Sequence, residues 1–315
     1  MTSIPARSPL LRWLWIAAGL LTAAIVLVTL APRALAVTHT QVNNDRPSIT
    51  TTTAPAPNAT RTPAVVPAAQ HPVSATAIAQ QMQSAIQNAS PGTTVGIDVV
   101  DTYTGATLAS LNAGQQFYTA SVVKLLIALD TMQGQGWNPS PDTSGQISQM
   151  LSLSDDDIAD ALWDDGGNDA IIARQVSKIG LSGTTAPGDI GEWGETLTTP
   201  KDVVSIFHYI STSIPAPARD LIINALHNTA HTAADGTDQY FGIPDGLSGR
   251  AWAIKQGWMD LDSSTTLDTT GLVGDVPGLY RYAVVVLTTQ PADTNWSVAG
   301  TALTDGVTLL HTVLN

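Results

Sequence analysis

Cysteine is absent from the 315-residue chain. That excludes disulfides, thiolate catalysis and any metal site built on thiolates, and it leaves no residue for a lipid anchor. Charge is scarce as well: 12% of residues are Asp, Glu, Lys or Arg, with 26 acids against 13 bases. Three of those bases (Arg7, Arg12, Arg33) fall in the first 36 residues, which contain no acid, so the remainder is more acidic than the whole. Such a balance argues against nucleic acid as a partner. Glutamate is nearly missing, with Glu192 and Glu195 the only two. The six histidines include no His-Glu-x-x-His pair, so no zinc-hydrolase signature is present. No metal and no cofactor is expected.

What is present begins with an export pattern. Arg7 and Arg12 precede an apolar run over residues 13–31, followed by Ala34-Leu35-Ala36, a small-x-small cleavage site. The run is also long enough to span a bilayer, so a cleaved signal peptide and a retained membrane anchor both stay open for residues 1–36. Either one places the rest outside the cytoplasm, secreted or held on the outer face of the cytoplasmic membrane. Residues 37–74, rich in Thr, Ala and Pro, have no hydrophobic periodicity and are expected to form a disordered tether. Residues 75–315 then form the folded domain.

Within it, Ile78, Met82 and Ile86 recur at helical spacing, and Val95, Ile97 and Val99 alternate as in a half-buried strand. A turn at Thr104-Gly105 returns the chain through 106–110. The stretch from about 120 to 228 has a helical pattern, with 125–129 apolar on nearly every side and hence buried. Thr199-Pro200-Lys201-Asp202 reads as a helix start. Three β-rich runs follow, at 252–258, 265–273 and 280–289, and a last helix at 295–314. The order predicts an α+β fold: a five-stranded antiparallel sheet flanked by the terminal helices, with an all-helical lobe inserted.

The chemistry-bearing residues lie at three places. Ser121-Val122-Val123-Lys124 opens the buried helix, and positions i and i+3 share a helix face, so the amine can reach the hydroxyl. A serine nucleophile needs such a base, and a desolvated lysine can be one. Ser154-Asp155-Asp156 follows, and Lys255-Gln256-Gly257-Trp258 lies on an expected strand. Two of the four lysines therefore fall in these motifs.

Ser-x-x-Lys, Ser-Asp-Asn and Lys-Thr-Gly in this order mark the penicillin-recognising serine enzymes. From residue 75 onward this sequence resembles them, and the class A β-lactamase-like group in particular. The resemblance implies that Ser121 attacks an amide carbonyl with help from Lys124, and that Ser154 relays a proton to the leaving nitrogen. It implies that Lys255 supplies positive potential, and that the backbone N–H groups of Ser121 and Trp258 form an oxyanion hole. Asp156, Gln256, Gly257 and Trp258 would line the substrate.

Two departures matter. Asp156 stands where the family has Asn, and a carboxylate beside Lys124 favours its protonated form. Gln256 replaces Thr; its amide is expected to donate to a substrate carboxylate. For the deacylation base the resemblance leaves Glu192 as the candidate, outside the family's usual pattern, so slow or absent β-lactam turnover is expected. The substrate expected from the resemblance is a β-lactam or a peptidoglycan-type peptide. A D,D-peptidase-like cell-wall enzyme and a non-catalytic binding module that kept the fold remain as alternatives.

Overall fold

Helix α1 (Ala75–Ala89) starts where Ser74 accepts a hydrogen bond from the Ala77 N–H at 3.2 Å, a side-chain cap for an otherwise unsatisfied donor. The computed structural model describes residues 74–314. The leader at 1–36 and the tether at 37–74, Ser74 apart, lie outside the described residues. Strands β1 (Thr94–Asp101) and β2 (Thr107–Leu111) form the first hairpin. After the short β3 (Phe117–Tyr118), a 3₁₀ turn over Ala120–Val123 leads into α2 (Lys124–Gly134). The helical lobe continues with α3 (Pro141–Ser152), α4 (Asp156–Asp165) and α5 (Ala170–Ile179). Then come β4 (Leu197–Thr198), α6 (Pro200–Thr212), α7 (Ala216–His227) and the single turn α8 (Ile243–Gly246). Strands β5 (Ala251–Leu261), β6 (Ser264–Val276) and β7 (Leu279–Pro291) and helix α9 (Trp296–Thr308) complete the domain.

The sheet has the order β2-β1-β7-β6-β5, antiparallel throughout. Its central strand shows how sequence makes layers. In β7 the apolar run 283–287 splits by parity: Val284 and Val286 join Ile78, Met82, Ile86 and Leu303 from α1 and α9, whereas Ala283, Val285 and Leu287 join the cluster under the helical lobe. A strand covered on both faces needs no polar alternation, which is why this segment is continuously apolar. In α2, Leu125 to Leu129 are all at most 1% exposed, and burial of each large side chain contributes roughly 2 kcal/mol.

The middle of the chain is less uniformly helical than its sequence pattern implies. Residues 180–199 form a loop instead, closed by the paired backbone bonds of Thr185 with Leu197 and fixed by Asp202, which accepts from Gly183 N–H and the Thr184 hydroxyl at 2.8 Å each. Within this loop β4 pairs with β3, a two-residue ladder too short to leave a period in sequence.

Candidate active site

Three segments converge at the β5 edge of the sheet: the 3₁₀ turn before α2, the turn between α3 and α4, and β5 itself. The approach to the first is sewn to the 193–198 segment, since Thr119 N–H donates to the Thr196 carbonyl at 2.8 Å and the β3–β4 ladder lies next to it. Ala120 then takes a left-handed φ of +40°, a conformation that costs a non-glycine residue about 1 kcal/mol. Ser121 follows directly, 5% exposed, on the 3₁₀ turn, and Lys124 is the first residue of α2, fully buried.

The Lys124 Nζ is surrounded by oxygens. Ser121 Oγ lies at 2.9 Å, the Ser154 carbonyl at 2.8 Å, Ser154 Oγ at 3.3 Å and Asp156 Oδ1 at 2.5 Å. Ser154 is itself buried and left-handed, with φ +53°. On its other side Lys255 Nζ donates to Ser154 Oγ at 2.9 Å and to the Gln256 carbonyl at 2.9 Å. Ser121, Lys124, Ser154 and Lys255 thus form one continuous line of hydroxyls and amines, along which a proton can pass.

Burial sets the electrostatics. It pulls the Lys124 ammonium below its ordinary range, against the opposing charge and hydrogen bond of Asp156 and the charges of Asp155 and Asp235. Burial pulls Lys255 down further, and repulsion from Lys124 adds to it, while Asp156 and Asp235 oppose. The two neighbouring carboxylates of the Ser154 motif have different uses. Asp155 caps α4, accepting from Ile158 N–H at 3.1 Å, whereas Asp156 is the ion-pair partner of Lys124, with its side chain 58% exposed.

The third motif differs in part from its expected arrangement. Gly257 packs against the nucleophile's turn so closely that a Cβ there would sit 2.8 Å from the Thr119 carbonyl, which explains glycine at that strand position. Gln256, however, points inward. Its amide donates to the carbonyls of Gln239 at 3.1 Å and Phe241 at 2.7 Å, and the side chain is fully buried. Both amide hydrogens are therefore engaged by backbone, and the expected donation to a substrate carboxylate is not how this residue is disposed. Instead it ties β5 to the loop between α7 and α8. That loop in turn holds the turn carrying Ser154, through Ala230 N–H to the Ser152 carbonyl and Ala234 N–H to the Leu153 carbonyl. Trp258 lies beside the site, its ring centroid 5.6 Å from Lys255 Nζ and its indole N–H donating to Asp235 at 2.9 Å.

The loop expected to supply a deacylation base presents an aromatic ring. Trp193 places its ring centroid 4.8 Å from Lys124 Nζ, and its indole N–H is fixed by Asp160 at 2.8 Å. Glu192, the preceding residue, is exposed, and among the described residues no hydrogen bond or ion pair joins it to Ser121 or Lys124. Trp193 and Asp235 had no signal in the sequence; each comes to the site from a loop without a motif. Among the described residues no group of three His, Asp or Glu side chains is placed to hold a metal ion.

Comparison with known proteins agrees with this fold. Residues 77–135 match the Beta-lactamase enzyme family. The putative lipoprotein LppW of Mycobacterium tuberculosis is 33% identical over 218 residues, covering 67% of this chain and 68% of that protein, and its Mycobacterium bovis counterpart matches equally. Among solved structures, a β-lactamase from Chitinophaga pinensis superposes with a TM-score of 0.60 at 17% identity, over 76% of this chain and 99% of its own. PBP-A gives 0.58 at 18% identity, over 74% and 95%.

Proposed function

Given that this chain belongs to the β-lactamase enzyme family, we propose that it is an exported serine hydrolase, acylated at Ser121, that acts on β-lactam or peptidoglycan-type amides. The observation that carries this reading is the 2.9 Å contact between Ser121 Oγ and a fully buried Lys124 whose ammonium form is disfavoured. A lysine that is neutral part of the time can take the serine proton as Oγ attacks the carbonyl. Ser154, between the two amines, then passes a proton to the leaving nitrogen, with Lys255 holding its hydroxyl in place. The N–H groups of Ser121 and Trp258 would stabilise the oxyanion.

Deacylation is expected to be slow. Of the 180–199 loop's carboxylates, Asp189, Glu192 and Glu195, the candidate Glu192 is exposed and unbonded to the dyad, which supports a penicillin-binding, D,D-peptidase-like behaviour over rapid β-lactam turnover. Attachment to the envelope would depend on the apolar run at 13–31, because the chain lacks a cysteine although its relatives are named lipoproteins. A second reading, a binding module without catalysis, is favoured by the short Lys124–Asp156 ion pair, which opposes loss of the proton from the base. Incubation with β-lactams and peptidoglycan stem peptides, followed by chromatography, separates the two. Consumption by wild type and none by Ser121→Ala supports the hydrolase; none by either supports the binding module.

A further inference from the structure

On the α1–α9 side of the sheet, a cleft of about 350 Å³ opens between the 237–241 loop, α8 and the start of α9. Leu267 lines it and belongs to the apolar layer under α1 and α9. The next residue of β6, Asp268, pairs instead with Gly257, which packs on the nucleophile's turn. Successive residues of a strand face opposite sides, and the cleft shares no residue with the site at Ser121.

Its walls combine aromatic rings with carboxylates. Tyr240, Phe241 and Trp296 supply the rings and Asp238 and Asp245 the charge, and no lysine or arginine lines it. Trp296, the first residue of α9, is 36% exposed, and its indole N–H donates to no group among the described residues. Phe241 can lie against α9 because Gly300 has no side chain; a Cβ there would stand 3.2 Å from the Phe241 Cβ. Asp238 accepts from Tyr240 N–H at 2.8 Å and lies 3.7 Å from His231 Nδ1. The Asp245 side chain has no hydrogen bond or ion pair among the described residues. Partial burial and the charge of Asp238 push its carboxyl up, with His231 opposing.

Two carboxylates at one mouth repel an anion, and a wholly apolar ligand would cover them without pairing them. Aromatic faces attract organic cations, and an apolar cleft of this size with a few polar groups is the usual form of a small-molecule site. We propose that this cleft binds a small organic ammonium ion, its charge set against Asp238 and Asp245 and its apolar body against Trp296, Tyr240 and Phe241. The site is independent of the chemistry at Ser121.

Calorimetric titration of the full-length protein with choline tests this, beside 3,3-dimethylbutan-1-ol, which has the same shape and no charge. The expected result is that choline binds at least tenfold more tightly than the alcohol at low salt. Trp296→Ala and the isosteric Asp245→Asn should each weaken choline at least fivefold, and Ser121→Ala should leave it unchanged. No binding of choline overturns the proposal. Equal binding of the alcohol overturns the cationic ligand and leaves a neutral apolar pocket in its place. Choline binding that survives both Trp296→Ala and Asp245→Asn, or that is lost in Ser121→Ala, puts the ion elsewhere and overturns the site.

Discussion

Asp156 Oδ1 lies 2.5 Å from Lys124 Nζ, the same nitrogen that faces the Ser121 hydroxyl at 2.9 Å. One side chain therefore controls how often the base is free. Burial removes the proton from Lys124 and the carboxylate puts it back, so the working pH of the site is set by the balance between a dry pocket and one half-exposed acid.

That balance predicts the effect of Asp156→Asn. Asp156 raises the lysine, so its neutralisation lowers it further. The acid limb of the pH profile for Ser121 acylation, which rises as Lys124 loses its proton, should move to lower pH. Stopped-flow or quenched acylation rates between pH 5 and 10 read this shift. A limb that stays in place removes Asp156 from the account.

Trp193→Ala should move the limb the other way. The indole covers Lys124 at 4.8 Å, and its removal admits water to the ammonium, relieving the desolvation that depresses it. The same rate series should show a shift to higher pH, with slower acylation at neutral pH.

Gly257→Ala should both destabilise the fold and slow acylation. Its Cβ would lie 2.8 Å from the Thr119 carbonyl, so β5 or the nucleophile's turn must move; overpacking of this kind costs about 1–3 kcal/mol. A lower Tm with a reduced acylation rate is expected. Unchanged values for both would mean that the contact yields freely.

Asp98, on β1, gives a test of stability away from the chemistry. Burial, offset in part by Lys201, raises its carboxyl from 3.8 to about 6. The folded state thus binds the proton more tightly than the unfolded chain. Its contribution to stability is fully present below pH 3.8 and is lost as pH rises through 6. Asp98→Asn should therefore stabilise the protein at pH 7, by about 1 kcal/mol after allowance for solvent screening, and the gain should vanish near pH 4. Urea midpoints at the two pH values measure it.

Much of this architecture was legible because it follows local periods. The spacing of Ile78, Met82 and Ile86, the capped start at Thr199-Pro200, and the apolar run of β7 each appear in the structure as the elements their patterns imply. Ser121 and Lys124 share a helical turn, so their meeting follows from spacing alone. The arrival of Ser154 and Lys255 at the same point had to be inferred from the order of motifs and depends on long-range packing. What could not be read was the outcome of competition for hydrogen bonds. Gln256 has the chemistry to bind a carboxylate, but two backbone carbonyls in a loop about fifteen residues away claim its amide. Trp193 and Asp235 likewise reach the lysines through loop geometry, which carries no period.

The most direct test of the central claim is intact-mass analysis with peptide mapping after treatment with a neutral alkyl fluorophosphonate, for wild type, Ser121→Ala and Lys124→Ala. The account predicts a single adduct on Ser121 in wild type, none in Ser121→Ala, and labelling slowed at least a hundredfold in Lys124→Ala. An unlabelled wild-type protein, or an adduct that persists in Ser121→Ala, would contradict it.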